Sequence, residues 1–224
     1  MKNSLAVLFF DVNETLLDLG PVRQSVARAL GNRPDLVPLW FTSLLQYSLV
    51  VTVSNQFRDF GSLAAATLQM LAEAQGISLT EPEAREALKP MLTLPPHPDV
   101  KESLEALQHT GFRLVALTNS SQRAMEEQLR HAGLNHVFEA MLSVEQIGIY
   151  KPHQHVYRWA AYRMQVPTAE CMMVAAHAWD IAGAQWAGMQ TTFVKRAGKA
   201  AFPLAPDAKH LVGNLKELNN VLIK

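Results

Sequence analysis

The 224-residue sequence has one cysteine, Cys171, so no disulfide can form within the chain. A reducing compartment is compatible, and Cys171 is expected to be a small buried hydrophobe. Charge is scarce as well: Asp, Glu, Lys and Arg make up 18% of the residues, against about a quarter in ordinary domains. Twenty basic side chains balance twenty acidic ones. There is thus no broad basic face for a phosphate backbone and no acidic face for cations, and nucleic acid is not expected as a partner. The apolar share of 49% is normal, which excludes disorder and permits a sizeable core. Long hydrophobic runs are also missing. After Lys2 only Leu5 to Phe10 are continuously apolar before Asp11, shorter than the roughly 7 to 15 residues of an export core. No other stretch approaches the roughly 18 residues of a membrane span. The reading is a cytoplasmic protein without a membrane partner, built as one domain or one domain with an insert.

Short apolar runs at Leu5 to Phe10, Arg113 to Leu117, Met172 to Ala176 and Thr191 to Val194 each lead into polar residues and a helical pattern. That alternation predicts an α/β fold, a doubly wound and mostly parallel sheet with crossover helices. A further strand is expected at Phe138 to Ser143. It lies between a helix at Gln122 to His131, stopped by Gly133, and one at His153 to Met164, bounded by Pro152 and Pro167. Between Pro21 and Pro96 helical spacings dominate, so residues 21–96 read as a helical insert and residues 1–20 with 97–224 as the α/β core. The Pro-rich stretch 94–98 is the stiff return linker.

In open parallel sheets ligands bind beyond the carboxyl ends of the strands. The residues there are Asp11-Val12-Asn13-Glu14-Thr15, then Thr118-Asn119-Ser120-Ser121, Tyr150-Lys151-Pro152 and His177-Ala178-Trp179-Asp180. A carboxylate following an apolar strand is costly to keep ionised unless a cation or hydrogen bonds compensate. Lys151 is the candidate compensator, leaving Asp11 able to displace a leaving group and form an ester. Read singly, Asp11 is a turn cap and Lys151 a surface side chain. Thr118 and Asn119 suit a substrate carboxylate at a helix start, while Ser120 and Ser121 read as helix caps. The other histidines are scattered, and His153 and His155, two apart, point in different directions.

This ordered set resembles the haloacid dehalogenase superfamily over the whole chain, including the insert, which is similar to its small cap domain. The Thr118-Asn119 pair, the Tyr-Lys-Pro run and Ala178-Trp179-Asp180 followed by Gly183-Ala184 resemble its 2-haloacid dehalogenase branch. The resemblance implies hydrolysis of short L-2-haloacids to D-2-hydroxyacids through an aspartyl ester. It implies Asp11 as nucleophile, Thr15, Lys151 and Asp180 in the catalytic group, no cofactor, no metal, and a homodimer. The alternative is a phosphatase of the same superfamily acting on a small phosphate ester. Such enzymes carry a second Asp where Asn13 stands and a paired acidic motif where Asp180 stands alone, because Mg²⁺ wants charged oxygen ligands.

Two positions depart from the branch pattern. Glu14 and His177 replace the common Gly and Asn. They suggest a dyad in which Glu14 orients His177 to activate a hydrolytic water; the alternative is a Glu14–Lys151 ion pair with His177 as packing. Phe41 replaces an Arg that helps hold the departing halide, which leaves Trp179, Phe41 or Phe60 as contacts or implies a different substrate. Tyr157, with Asn13, is assigned to the substrate side. Trp40 and Tyr47 are expected in the insert's own core or on a dimer face.

Overall fold

The structure, a computed structural model, describes residues 5–223. Lys2 and the outermost ends of the expected core segment lie outside these residues. Six parallel strands form one sheet: β1 (Val7–Phe10), β2 (Arg113–Thr118), β3 (Ala140–Ser143), β4 (Cys171–Ala175), β5 (Gln190–Val194) and β6 (His210–Val212), in the order β3-β2-β1-β4-β5-β6. β1 pairs in register with β2 on one side and β4 on the other, Phe10 lying opposite Ala116 and Val174. Every residue of β1 and β4 is buried. This is why both read as continuous apolar runs rather than alternating ones. Truncating Phe9 or Phe10 to Ala would cost about 3–5 kcal/mol.

The helices α5 (Val100–His109), α6 (Gln122–His131), α7 (Gln154–Arg163), α8 (Ala178–Trp186) and α9 (Leu215–Leu222) accompany the sheet. The five expected strands occur with ends shifted by at most two residues. Strand β6 and helix α9 were not anticipated. β6 is three residues long at the sheet edge with Leu211 exposed, too short to show a period.

Between β1 and α5 stand four helices: α1 (Gly20–Ala29), α2 (Val37–Val53), α3 (Phe60–Ala74) and α4 (Glu81–Leu88). Their starts are locally encoded: the Asp59 carboxylate accepts from Ser62 N at the head of α3, and Thr80 with Glu83 forms a capping box on α4. The two connections run side by side, Asp18 N donating to Pro95 O at 2.8 Å and His97 N to Leu16 O at 2.9 Å. One expectation needs correction. Residues 34–53 are, by length and composition alone, apolar enough to cross a membrane; scattered polar residues break the apolar run, yet its average stays high. In the fold this segment packs on α3, where the buried Trp40 indole donates to Ala64 O at 3.0 Å.

Candidate active site

The parallel topology brings the strand ends together. Asp11 directly follows β1, its amide donating to Val174 O in β4 at 3.1 Å. Its carboxylate is 5% exposed and met from two sides. Oδ1 accepts from Lys151 Nζ at 3.0 Å; Oδ2 accepts from Thr15 Oγ1 at 2.7 Å and lies 3.1 Å from His177 Nδ1. Burial would push the Asp11 carboxyl up, but Lys151, His177 and Thr15 outweigh it and hold the group well below the carboxylate range. Of the two oxygens, Oδ1 has the single partner and therefore the unused lone pair.

Lys151 is 1% exposed and fully engaged: besides Asp11, Nζ donates to Asp180 Oδ2 at 2.6 Å and to Leu117 O at 3.0 Å. Burial would lower its pKa, but Asp11 and Asp180 raise it. Asp180 is completely buried, and Tyr157 Oη donates to its Oδ1 at 2.6 Å. Burial, together with the Asp11 charge, raises the Asp180 carboxyl against the pull of Lys151. The ammonium thus fills the space between two carboxylates, and removing it would leave buried carboxylate charge without its cation, at a cost of about 3–5 kcal/mol.

His177, on the turn into α8, touches Asp11 through Nδ1 and Glu14 Oε2 through Nε2 at 2.8 Å. Burial opposes its charge, but these two carboxylates raise its pKa to about 9, so the resting ring is an imidazolium donating from both nitrogens. Trp179 and Phe41 stack against it, with ring centroids 5.1 Å and 6.2 Å away. Glu14 sits at φ 66°, a left-handed conformation that favours glycine. Burial would raise its carboxyl, yet His177 and Lys199 draw it down to about 2. Its oxygens are bound by His177, by Lys199 Nζ at 2.6 Å and by the Arg23 guanidinium. Glu14 does not pair with Lys151, whose partners are the two aspartates.

A cavity of about 770 Å³ between the helical layer and the sheet side reaches this network at Glu14. Glu14, Arg23, Phe41, Phe60, Ser120 and Lys199 line it. Of the residues expected on the substrate side, Phe41 and Phe60 are there. Tyr157 is not: it lies beneath Asp180, because the first turn of α7 packs on α8 rather than facing the cavity. Asn119 also differs from expectation, its side-chain oxygen accepting from Lys151 N at 3.0 Å and its amide facing Lys151 O at 3.4 Å, so it clamps the lysine backbone. Thr118 Oγ1 accepts from Ser120 N. Asn13 donates to Ser120 Oγ at 2.9 Å and accepts from Gln128 Nε2 at 3.1 Å, turned toward α6. Ser121 caps α6, whereas Ser120 does not. Trp179 meets His177 and lies 5.8 Å from Lys151 Nζ. Sequence reading missed Arg23 and Lys199, which come from α1 and from the loop after β5 and carry no local signature.

Comparison with known proteins agrees with this geometry. The family described as haloacid dehalogenase-like hydrolase matches residues 5–188. (S)-2-haloacid dehalogenase 4A of Burkholderia cepacia is 31% identical over 100% of this chain and 97% of its own. (S)-2-haloacid dehalogenase 1 of Pseudomonas sp. (strain CBS-3) is 30% identical over 96% and 95%. A crystal structure of a dehalogenase with intermediate complex superposes with a TM-score of 0.88 at 29% identity, covering all of both chains. The chain belongs to the haloacid dehalogenase-like hydrolase family, on its 2-haloacid dehalogenase branch.

Proposed function

We propose that the protein hydrolyses the carbon–halogen bond of short L-2-haloacids to give D-2-hydroxyacids. The observation that carries this is the buried Asp11 carboxylate, kept ionised by Lys151 with Oδ1 left one unused lone pair. Oδ1 attacks C2, the halide leaves with the bonding pair, and the new Oδ1–C2 bond is an ester inverted at C2. Asp11 then carries no charge. One of the two anions that hold the His177 proton has gone, and the ring releases its Nδ1 proton to solvent; this is the one proton the net reaction yields. The freed Nδ1, still oriented by Glu14 at Nε2, takes a proton from a water as that water adds to the Asp11 carbonyl carbon. Oδ2 carries the developing negative charge, with the Thr15 hydroxyl donating to it. Collapse expels the 2-hydroxyacid oxygen, which takes the proton of the re-formed Asp11 carboxyl group. Asp11 and the His177 imidazolium are restored. Asp180 and Tyr157 act as positioning residues for Lys151.

The reaction runs without a metal in this reading. Lys151 supplies the positive charge between Asp11 and Asp180, and both ends of the Asn13 amide are already bonded to Ser120 and Gln128. Residues 21–96 act as a cap domain over a core of 1–20 and 97–224, a division supported by the paired connections at Leu16–Asp18 and Pro95–His97. The chain works as a homodimer; Leu39, Leu49, Val50 and Val53 form an exposed apolar face on α2 that suits a second copy. A cytoplasmic setting fits a buried lone Cys171 whose thiol burial pushes up to about 12.

The test is halide release from L- and D-2-chloropropionate and chloroacetate, with and without EDTA, beside a phosphate-ester control. Chelator-resistant halide release selective for the L substrate is expected. Magnesium-dependent phosphate release without halide would overturn the reading.

A further inference from the structure

We infer that Arg23, on the first helix of the insert, holds the departing halide. The inference rests on the dehalogenase reading above. In an in-line displacement the carbon–halogen bond breaks on the side opposite the attacking oxygen, so the halide leaves C2 on the face away from Asp11, and the space open there is the cavity that reaches the network at Glu14 and is bounded by the helical layer. It needs a donor there, since negative charge grows on it as the bond breaks. Phe41 offers none: it is apolar and stacks on His177. The cations that the helical layer brings to the cavity are Arg23, Arg85 and Lys89. Arg85 and Lys89 pair along their own surface with Glu81 and Glu86. Arg23 instead reaches the catalytic network, its NH2 group bonded to Glu14, while its side chain is 51% exposed. Among the described residues Glu14 is its only side-chain partner, so the guanidinium has N–H groups to spare for an anion.

The charge balance agrees. Asp11, Glu14 and Asp180 face Lys151, His177, Arg23 and Lys199, four cations against three carboxylates with the ring protonated. When the guanidinium turns to the halide, Glu14 keeps Lys199 and His177 and is not left as a bare buried anion. Lys199 belongs to the sheet side of the cavity and stays with Glu14.

The experiment is single-turnover kinetics of wild type, Arg23→Gln and Arg23→Lys with 2-chloro- and 2-bromopropionate, following halide release and ester hydrolysis separately. Arg23→Gln is expected to slow chloride release about 100-fold, the size of one lost charge-stabilising donor. Bromide, the better leaving group, should be slowed less. Ester hydrolysis should stay within about twofold, because that step no longer involves the halide. Arg23→Lys should fall between, and it stands in for Arg23→Gln if the latter fails to fold. Slowed ester hydrolysis with halide release intact would assign Arg23 to the Glu14–His177 pair and overturn the inference. Equal slowing for both halogens would overturn it too. Wild-type halide release matched by both variants would sink this inference alone, whereas no halide release by wild type would sink the dehalogenase reading beneath it.

Discussion

His177 Nδ1 stands 3.1 Å from Oδ2 of Asp11, so the histidine proposed to activate water is also a hydrogen-bond partner of the proposed nucleophile. The contact gives the ring two states. Against an ionised Asp11 it is an imidazolium with a pKa of about 9; against an ester it faces a neutral carbonyl and loses that hold. In the proposed mechanism the ring is charged before alkylation and neutral after it, which separates the two half-reactions.

Glu14→Gln and His177→Ala should therefore spare the first half-reaction and impair the second. Each is expected to release about one halide per site and then stall, with ester hydrolysis slowed about 10²–10⁴-fold as for loss of a general base. Intact-mass analysis after mixing with L-2-chloropropionate should show the trapped adduct. Steady turnover at the wild-type rate, with no adduct, would remove the dyad from the mechanism.

Lys151→Met should remove activity and stability together. Asp180 would then be a buried carboxylate without its one cation, held by Tyr157 alone and facing an Asp11 that keeps His177, at a cost of about 3–5 kcal/mol in urea unfolding. Tyr157→Phe removes only one donor from Asp180, so a milder loss of about 1–2 kcal/mol is expected with the nucleophile intact. If both variants unfolded like wild type, the buried network would not be a structural element.

The pH dependence of stability follows from the raised His177 pKa. A group held at about 9 in the fold against an ordinary 6.5 binds its proton more tightly when folded. Its contribution is complete below 6.5 and is lost as pH rises through about 9. Between pH 6 and 9 wild type should lose on the order of 3 kcal/mol more stability than His177→Asn. Parallel curves for the two proteins, measured by urea unfolding, would contradict the charged ring.

Much of this was legible in the sequence because parallel strands deliver their following residues to one edge. Asp11, Thr15, Lys151, His177 and Asp180 converge for that reason alone, and the central strands announced themselves as unbroken apolar runs. Side-chain direction was not legible. Tyr157 and Asn119 sit in the right motifs, but one reaches under Asp180 and the other clamps the Lys151 backbone. Arg23 and Lys199 reach Glu14 only through tertiary packing, from segments whose own sequence reads as an ordinary amphipathic helix and an ordinary loop. β6 escaped because an edge strand of three residues needs no pattern of its own.

In the proposed mechanism water attacks Asp11 and not the substrate carbon. One turnover in ¹⁸O-labelled water, with enzyme in excess over L-2-chloropropionate, tests it directly. ¹⁸O is expected in the Asp11 carboxylate, found by mass spectrometry of the peptide that carries it, with an unlabelled hydroxyl in the product. Labelled hydroxyl with unlabelled Asp11 would mean direct displacement by water and would contradict the ester mechanism.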